Sequence, residues 1–510
     1  MGKEKEREKD QKKMFIGIAW NCAAELKFLV TSVLFICALV TTLQVLSSRF
    51  PLYSSSSDIR NCLSTAPPIT TATIDLALSP PPSFPSPPPP PPPRQTDQIL
   101  DGGIIKRAFN PIGAAAYNFI LMSAYRGGLN TFAVTGLASK PLHVFGKPTY
   151  LCQWLPRHNA TAQPPITTSG VRILPDWGYG RVYTVVVINC TFSVPVGHDG
   201  SGGSLLLHAS TNGGGDRIMN STDTFEALIE EPGSMKPSYF TSPPKYDYLY
   251  CGSSLYGNLS PQRVREWLAY HIRLLGGKSH FVIHDAGGVH PEVMEVLRPW
   301  MEKGYVTLQD IKEQERFDGY YHNQFLIVND CLHRYRFDTK WMFFFDVDEF
   351  IFVPGKNTLR SVLNSLSTYT QFTIEQMTIS SKLCLSEDAG KTSRKWGIEK
   401  LVYRDMKKGI RRDRKYAIQP SNVLATGVHM SQNLVAGSKT THKTEGRIRY
   451  FHYHGTIANR REPCRQLVNA TDITVEGVPY SVDMTMRSVA GAVKRFELNT
   501  IGPALQRTRQ

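Results

Sequence analysis

The chain has 510 residues, 41 % of them hydrophobic, nine cysteines and a formal net charge of +15. It is too long and too apolar for a disordered polymer or a disulfide-stapled miniprotein, and long enough for two or three domains. The positive balance fits an anionic partner: nucleic acid, an acidic membrane surface or an acidic carbohydrate.

The N-terminus chooses among these. Residues 28–46 read FLVTSVLFICALVTTLQVL, uncharged and of bilayer-spanning length. Lys3, Lys5, Arg7, Lys9, Lys12, Lys13 and Lys27 precede the run, so 1–27 reads as a cytosolic tail and 28–46 as an uncleaved anchor. Everything beyond is expected in the lumen, which excludes nucleic acid as a partner. Five N-glycosylation patterns, at Asn159, Asn189, Asn220, Asn258 and Asn469, all lie beyond the anchor. So do Cys62, Cys152, Cys190, Cys251, Cys331, Cys384 and Cys464. Disulfides persist in that compartment, and the odd number permits a covalent homodimer. Cys152 with Cys190 is the expected bridge.

Residues 47–100 read as a stem. Between Pro80 and Pro93, 11 of 14 positions are proline, which favours an extended polyproline helix rising about 3.1 Å per residue. Residues 101–235 read as a β-rich, sandwich-like module. Short runs such as Tyr117–Met122, Thr131–Val134, Tyr150–Leu155 and Val182–Asn189 are separated by Gly, Pro, Ser and Asn clusters. Tyr125, Trp154, Trp177 and Tyr179 are either core aromatics or platforms for sugar rings.

From 236 to 510 strands alternate with helices. Tyr246–Tyr250 is a strand. Ser260 caps a helix with Pro261 at its first position, and Val264, Trp267, Leu268, Ile272 and Leu275 share one face before Gly276 and Gly277 end it. Strands follow at Phe281–Ile283, Val306–Leu308 and Trp341–Phe345, with helices from Pro291 and over 321–335. Strands apolar at every position, separated by helices, predict a parallel α/β sheet covered on both faces. Ligands of such sheets bind beyond the carboxyl ends of the strands.

At the end of the most apolar strand stands Asp346-Val347-Asp348-Glu349. Alternation along an extended chain would point Asp346 and Asp348 the same way. Two carboxylates side by side repel unless a cation lies between them, and Mn²⁺ or Mg²⁺ suits such oxygen donors while sharing phosphate oxygens. A solvated acidic turn or a structural Ca²⁺ loop is the alternative. Attack by an acceptor hydroxyl calls for a carboxylate base: Glu349, Glu375 and Asp388 are candidates, Glu349 also being placed to orient metal ligands. Cys251, Gly252 and Ser253 after the first strand, and Asp285 after the second, are expected to bind the nucleotide with Asp346, Val347 and Asp348. Asp285 has a second reading, as a cap on the turn before Gly287 and Gly288. Residues 400–415 carry Lys400, Arg404, Lys407, Lys408, Arg411, Arg412, Arg414 and Lys415, a track for an acidic polymer, a solvated face, or a contact for the UDP phosphates.

The segments YLYCGSSLYG, HFVIHDAGG, NQFLIVNDCLHRYR, KWMFFFDVDEFIFVP, ATGVHMS and YFHYHG together resemble glycosyltransferase family 92, and within it the plant β-1,4-galactan synthases. The resemblance spans about residues 245–470. It implies a Golgi-anchored, inverting enzyme of the GT-A fold with UDP-galactose as donor, Mn²⁺ as cofactor and the galactan side chains of pectin (rhamnogalacturonan I) as acceptor. It also implies a carbohydrate-binding role for the β-rich module. A third metal ligand is expected from His454 or His452, His454 being favoured beside Gly455, with His429 as a metal or acceptor contact. The rival readings are a UDP-arabinopyranose donor, an N-glycan acceptor, or a sugar-binding protein without catalysis.

Overall fold

The computed structural model describes residues 94–508, apart from 114–116, 141–147, 158–164, 176–181, 212–220, 318–319, 356, 392–394, 410–412, 432, 439–440, 442–443, 459 and 461–462. The expected tail, anchor and stem up to Pro93, with Cys62, lie outside the described residues, as do Asn159, Trp177, Tyr179, Asn220, Arg411 and Arg412.

A ten-stranded mixed sheet forms the larger part. At its centre Val306–Asp310, Ser279–Asp285, Tyr246–Leu255 and Thr339–Phe344 lie side by side in that order, all parallel. Every residue of Ser279–Asp285 is buried. Its apolar middle, Phe281–Ile283, is the run read from the sequence, and the polar Ser279, His280, His284 and Asp285 that flank it are buried as well. The sheet continues through Arg414–Ile418, Gln371–Thr378, Thr444–His452 and Glu349–Phe352, and antiparallel pairings enter on that side.

The helix Pro261–Leu275 packs on one face. Ser260 Oγ accepts from the Arg263 N–H, Pro261 opens the helix, and Gly276 closes it at φ 85°. Trp267 Nε1 donates to the main-chain oxygens of Asp346 and Glu349, tying this helix to the acidic turn. The helix expected over 321–335 starts later, at Gln324, because Tyr321, His322 and Asn323 all adopt left-handed backbone. Such residues cost on the order of 1–3 kcal/mol each and persist only where neighbours hold them. Here Ser254 Oγ donates to the His322 carbonyl and the Tyr256 ring stacks on His322 at 3.9 Å.

The β-rich segment is a single eight-stranded antiparallel sheet, not two facing sheets. Its ends curl toward each other: Asn118 bonds Asp223, and Phe119 stacks on Phe225 at 5.6 Å. Phe119, Phe132, Trp154, Leu205 and Leu207 fill the interior. Trp154 is 1 % exposed and stacks on Phe132, so it is a core residue, not a sugar platform. Tyr125 is likewise occupied, donating its hydroxyl to Asp330.

The boundary expected near residue 100 falls inside a hairpin. Gln98–Leu100 and Ile104–Lys106 pair with each other, and the second strand extends the larger sheet beside Val306–Asp310. Immediately after it, Arg107 is fully buried between the two sheets. Its guanidinium binds Asp330 through two nitrogens (2.5 and 2.8 Å), Gln309, Ser123 and Asp97.

Among the described residues three disulfides are formed. Cys152–Cys190 lies in the β-rich part as expected, Cys251–Cys331 ties the first parallel strand to the helix Gln324–Arg334, and Cys384–Cys464 braces the C-terminal part.

Candidate active site

Beyond the carboxyl ends of the parallel strands lies a cavity of about 340 Å³. Asp346, Val347, Asp348 and Glu349 form one wall, Ser253 and Tyr256 another, and His452, His454 and Gly455 a third. The acidic segment is not extended. The Glu349 N–H donates to the Asp346 carbonyl, closing a tight turn that brings both aspartates to the same cavity.

The two aspartates have different partners. Asp346 Oδ2 lies 2.7 Å from Lys415 Nζ, and Gln324 donates to Oδ1. Burial pushes the Asp346 carboxyl up, but Lys415 outweighs it and holds the group below the usual carboxylate range. Asp348 instead faces His452 and His454. Ligand atoms from these three residues lie within 4.8 Å of one another, the spacing of a metal's coordination shell. His452 Nε2 is 3.6 Å from Asp348 Oδ1, and its Nδ1 is held by Gln376 at 2.5 Å. Burial alone would lower the His452 pKa; contact with Asp348 reverses the sign and raises it. Gly455 N–H donates to Asp348 Oδ2 from a backbone at φ 67°. The favoured His454 is therefore joined by His452.

Glu349 is 1 % exposed. Its Oε2 accepts from the Asp346 N–H at 2.7 Å and lies 3.4 Å from Lys415. Burial pushes this carboxyl up to about 8, Lys415 opposes, and Asp346 adds to the rise. Lys415 itself is pulled the other way by burial, yet Asp346 and Glu349 raise it well above the ordinary lysine value. Glu349 thus buttresses the acidic turn.

Several expected residues are placed elsewhere. Cys251 is buried in its disulfide and cannot contact a nucleotide. Gly252 sits under Tyr250, where an added Cβ would fall 1.6 Å from the phenol oxygen; its role is to admit that ring. Ser253 does line the cavity. Asp285 caps the turn: Oδ1 accepts from the Gly287 and Val289 N–H groups, and Oδ2 meets Lys312. Glu375 is exposed on its strand, outside the cavity lining, and Asp388 is locked by Arg487 and Lys395. His429 reaches the cavity mouth, Nδ1–H donating to the Arg414 carbonyl.

Gln324, Gln376, Tyr256, Tyr321 and Asp413 were not singled out as site residues by the sequence, and Lys415 was named only as one of the basic run. Lys415 stands at the end of the basic run, and only burial distinguishes it from Lys407 and Lys408, which are exposed. Tyr321 and Asp413 carry no local motif at all.

The sequence model of Glycosyltransferase family 92 matches residues 246–489. The galactan beta-1,4-galactosyltransferases GALS3 and GALS2 of Arabidopsis thaliana are 58 % and 54 % identical to this chain, each over all of both chains. The chain belongs to glycosyltransferase family 92. A more distant relative, the beta-1,4-galactosyltransferase galt-1 of Caenorhabditis elegans, is 27 % identical over 42 % of this chain and 49 % of its own. The family match covers the acidic turn, Lys415 and both histidines, and begins where the β-rich module has ended.

Proposed function

We propose that this chain is a β-1,4-galactosyltransferase that lengthens galactan, taking galactose from UDP-galactose, and that the larger domain is a GT-A fold. Identity over the whole length to proteins named for that reaction carries the assignment. The acidic cavity supports it independently. Among the described residues Asp346, Asp348, Glu349 and Asp413 face it, with Lys415 as the lysine. That excess of carboxylate calls for a cation.

Asp348, His452 and His454 are the residues that would hold Mn²⁺ or Mg²⁺, a mixed carboxylate and imidazole set that suits Mn²⁺ better. Bound there, the ion neutralises the diphosphate that leaves. Asp346 acts chiefly by fixing Lys415, whose ammonium offsets the carboxylates of the acidic turn. Ser253 offers a hydroxyl to the nucleotide, and Tyr256 with Tyr321 flanks the entrance with aromatic surface. The acceptor is the galactan side chain of pectin, and the exposed Lys407, Lys408 and Arg414 suit its acidic backbone. The N-terminal anchor and stem support a type II Golgi placement with this domain in the lumen.

The full chain, purified in detergent, is incubated with UDP-galactose, Mn²⁺ and a labelled β-1,4-galacto-oligosaccharide, with UDP-arabinopyranose in parallel. Stepwise growth with UDP-galactose is the expected outcome. No growth from folded protein, or growth with the arabinose donor alone, overturns the reading.

A further inference from the structure

We infer that Asp413 is the general base that accepts the proton of the attacking acceptor hydroxyl, an assignment that rests on the galactosyl-transfer reading above. Among the described residues four carboxylates line the cavity, and three are committed. Asp346 is paired with Lys415 and bonded by Gln324. Glu349 is buried and accepts from the Asp346 backbone. Asp348 accepts from Gly455 and faces the two histidines. Asp413 alone of the four is exposed, and its side chain bonds none of the described residues.

The backbone around Asp413 is pinned, as a base that must meet a substrate hydroxyl requires. The buried Tyr450 hydroxyl donates to the Asp413 carbonyl at 3.0 Å, and His429 holds the next carbonyl at 3.1 Å. Asp413 leads into the strand Arg414–Ile418, where successive side chains alternate. Asp413 therefore follows Lys415 toward the cavity, while Arg414 lies opposite Glu375 on the other face. This separates Asp413 from Glu375, the carboxylate that sequence alone suggests for the task.

Position relative to the leaving group favours the same residue. The strand Arg414–Ile418 is separated from Thr444–His452 by one strand, Gln371–Thr378. Backbones two strands apart are about 10 Å from each other, room for one sugar ring. With the diphosphate against Asp348, His452 and His454, an acceptor entering beside Asp413 approaches the sugar from the opposite side, as inversion demands. The acceptor's 4-hydroxyl oxygen then bonds to the anomeric carbon. The bond from that carbon to the phosphate oxygen breaks, its electron pair departs with UDP, and the hydroxyl proton passes to the Asp413 carboxylate.

The test compares wild type with Asp413→Asn, Asp413→Glu, Glu375→Gln and His429→Gln in the full chain. Asp413→Asn is expected to lower kcat by about 10²- to 10⁴-fold, the usual contribution of a positioned base. Its Mn²⁺-dependent UDP binding, followed by calorimetry, stays within about twofold of wild type, because only the chemical step is affected. Asp413→Glu, which keeps a carboxylate on a longer arm, recovers part of the loss, and Glu375→Gln behaves as wild type. The assignment is overturned if Asp413→Asn keeps kcat near wild type, if it loses UDP binding in step with activity, or if His429→Gln alone abolishes turnover. Wild type that never transfers galactose refutes the parent reading instead.

Discussion

Two clusters of buried charge sit at different ends of the helix Gln324–Arg334, and they are built on opposite rules. Near its C-terminal end, Arg107 and Arg334 meet Asp330 and Asp97, cation for anion, with further hydrogen bonds from Tyr125, Ser123 and Gln309. Burial pushes the Asp330 carboxyl up, but Arg107 beside it holds the group far below the ordinary carboxylate range. Near the N-terminal end, Gln324 leans on Asp346 in a group where carboxylates exceed cations and a cavity opens beside them. A balanced, dry cluster joins two pieces of structure. An unbalanced one beside a cavity is completed by something that arrives from outside.

The comparison breaks most sharply at Asp348. Asp348→Asn removes a carboxylate from the unbalanced group, and we predict a loss of about 10³-fold or more in galactosyl transfer, the scale of electrostatic stabilisation at a leaving group. Mn²⁺-dependent UDP uptake, measured by calorimetry, should vanish with it while the melting temperature holds. Retained uptake would move the metal elsewhere.

Asp330→Asn tests the balanced group and should show the reverse. Breaking a fully buried pair leaves Arg107 with only the partly exposed Asp97 as counter-charge and costs about 3–5 kcal/mol. The expected readout is a lower thermal midpoint, with kcat per folded molecule unchanged; an unaltered midpoint would remove the structural role. The smallest effect is expected from Gln376→Leu. Gln376 orients His452 from behind, and losing such a support weakens metal affinity about 10- to 100-fold. A manganese titration of UDP binding reads this directly, and no change would mean that His452 needs no such support.

Much of the larger domain was legible because its signals are local. Continuous apolar strands, the Ser260-Pro261 helix start and the acids after Phe345 each follow from a few neighbouring residues. The rest depends on contacts distant in the chain. That Lys415 is buried follows from pairing Arg414–Ile418 with Thr339–Phe344, which brings it to Asp346. That Cys251 is a bridge partner depends on Cys331, 80 positions away. Asp285 shows a different limit: a strand-end aspartate before two glycines has the same local sequence whether it caps a turn or meets a ligand. The closure of the β-rich sheet was hidden too, since alternation is the same in a sandwich and in a curled single sheet.

The hairpin Gln98–Lys106 makes the catalytic fold discontinuous along the chain. The β-rich module is threaded between an outlying strand of the enzyme's sheet and the rest of that sheet, as an insertion rather than an appendage. Any single cut within the module therefore leaves Ile104–Lys106 on one fragment and its partner Val306–Asp310 on the other.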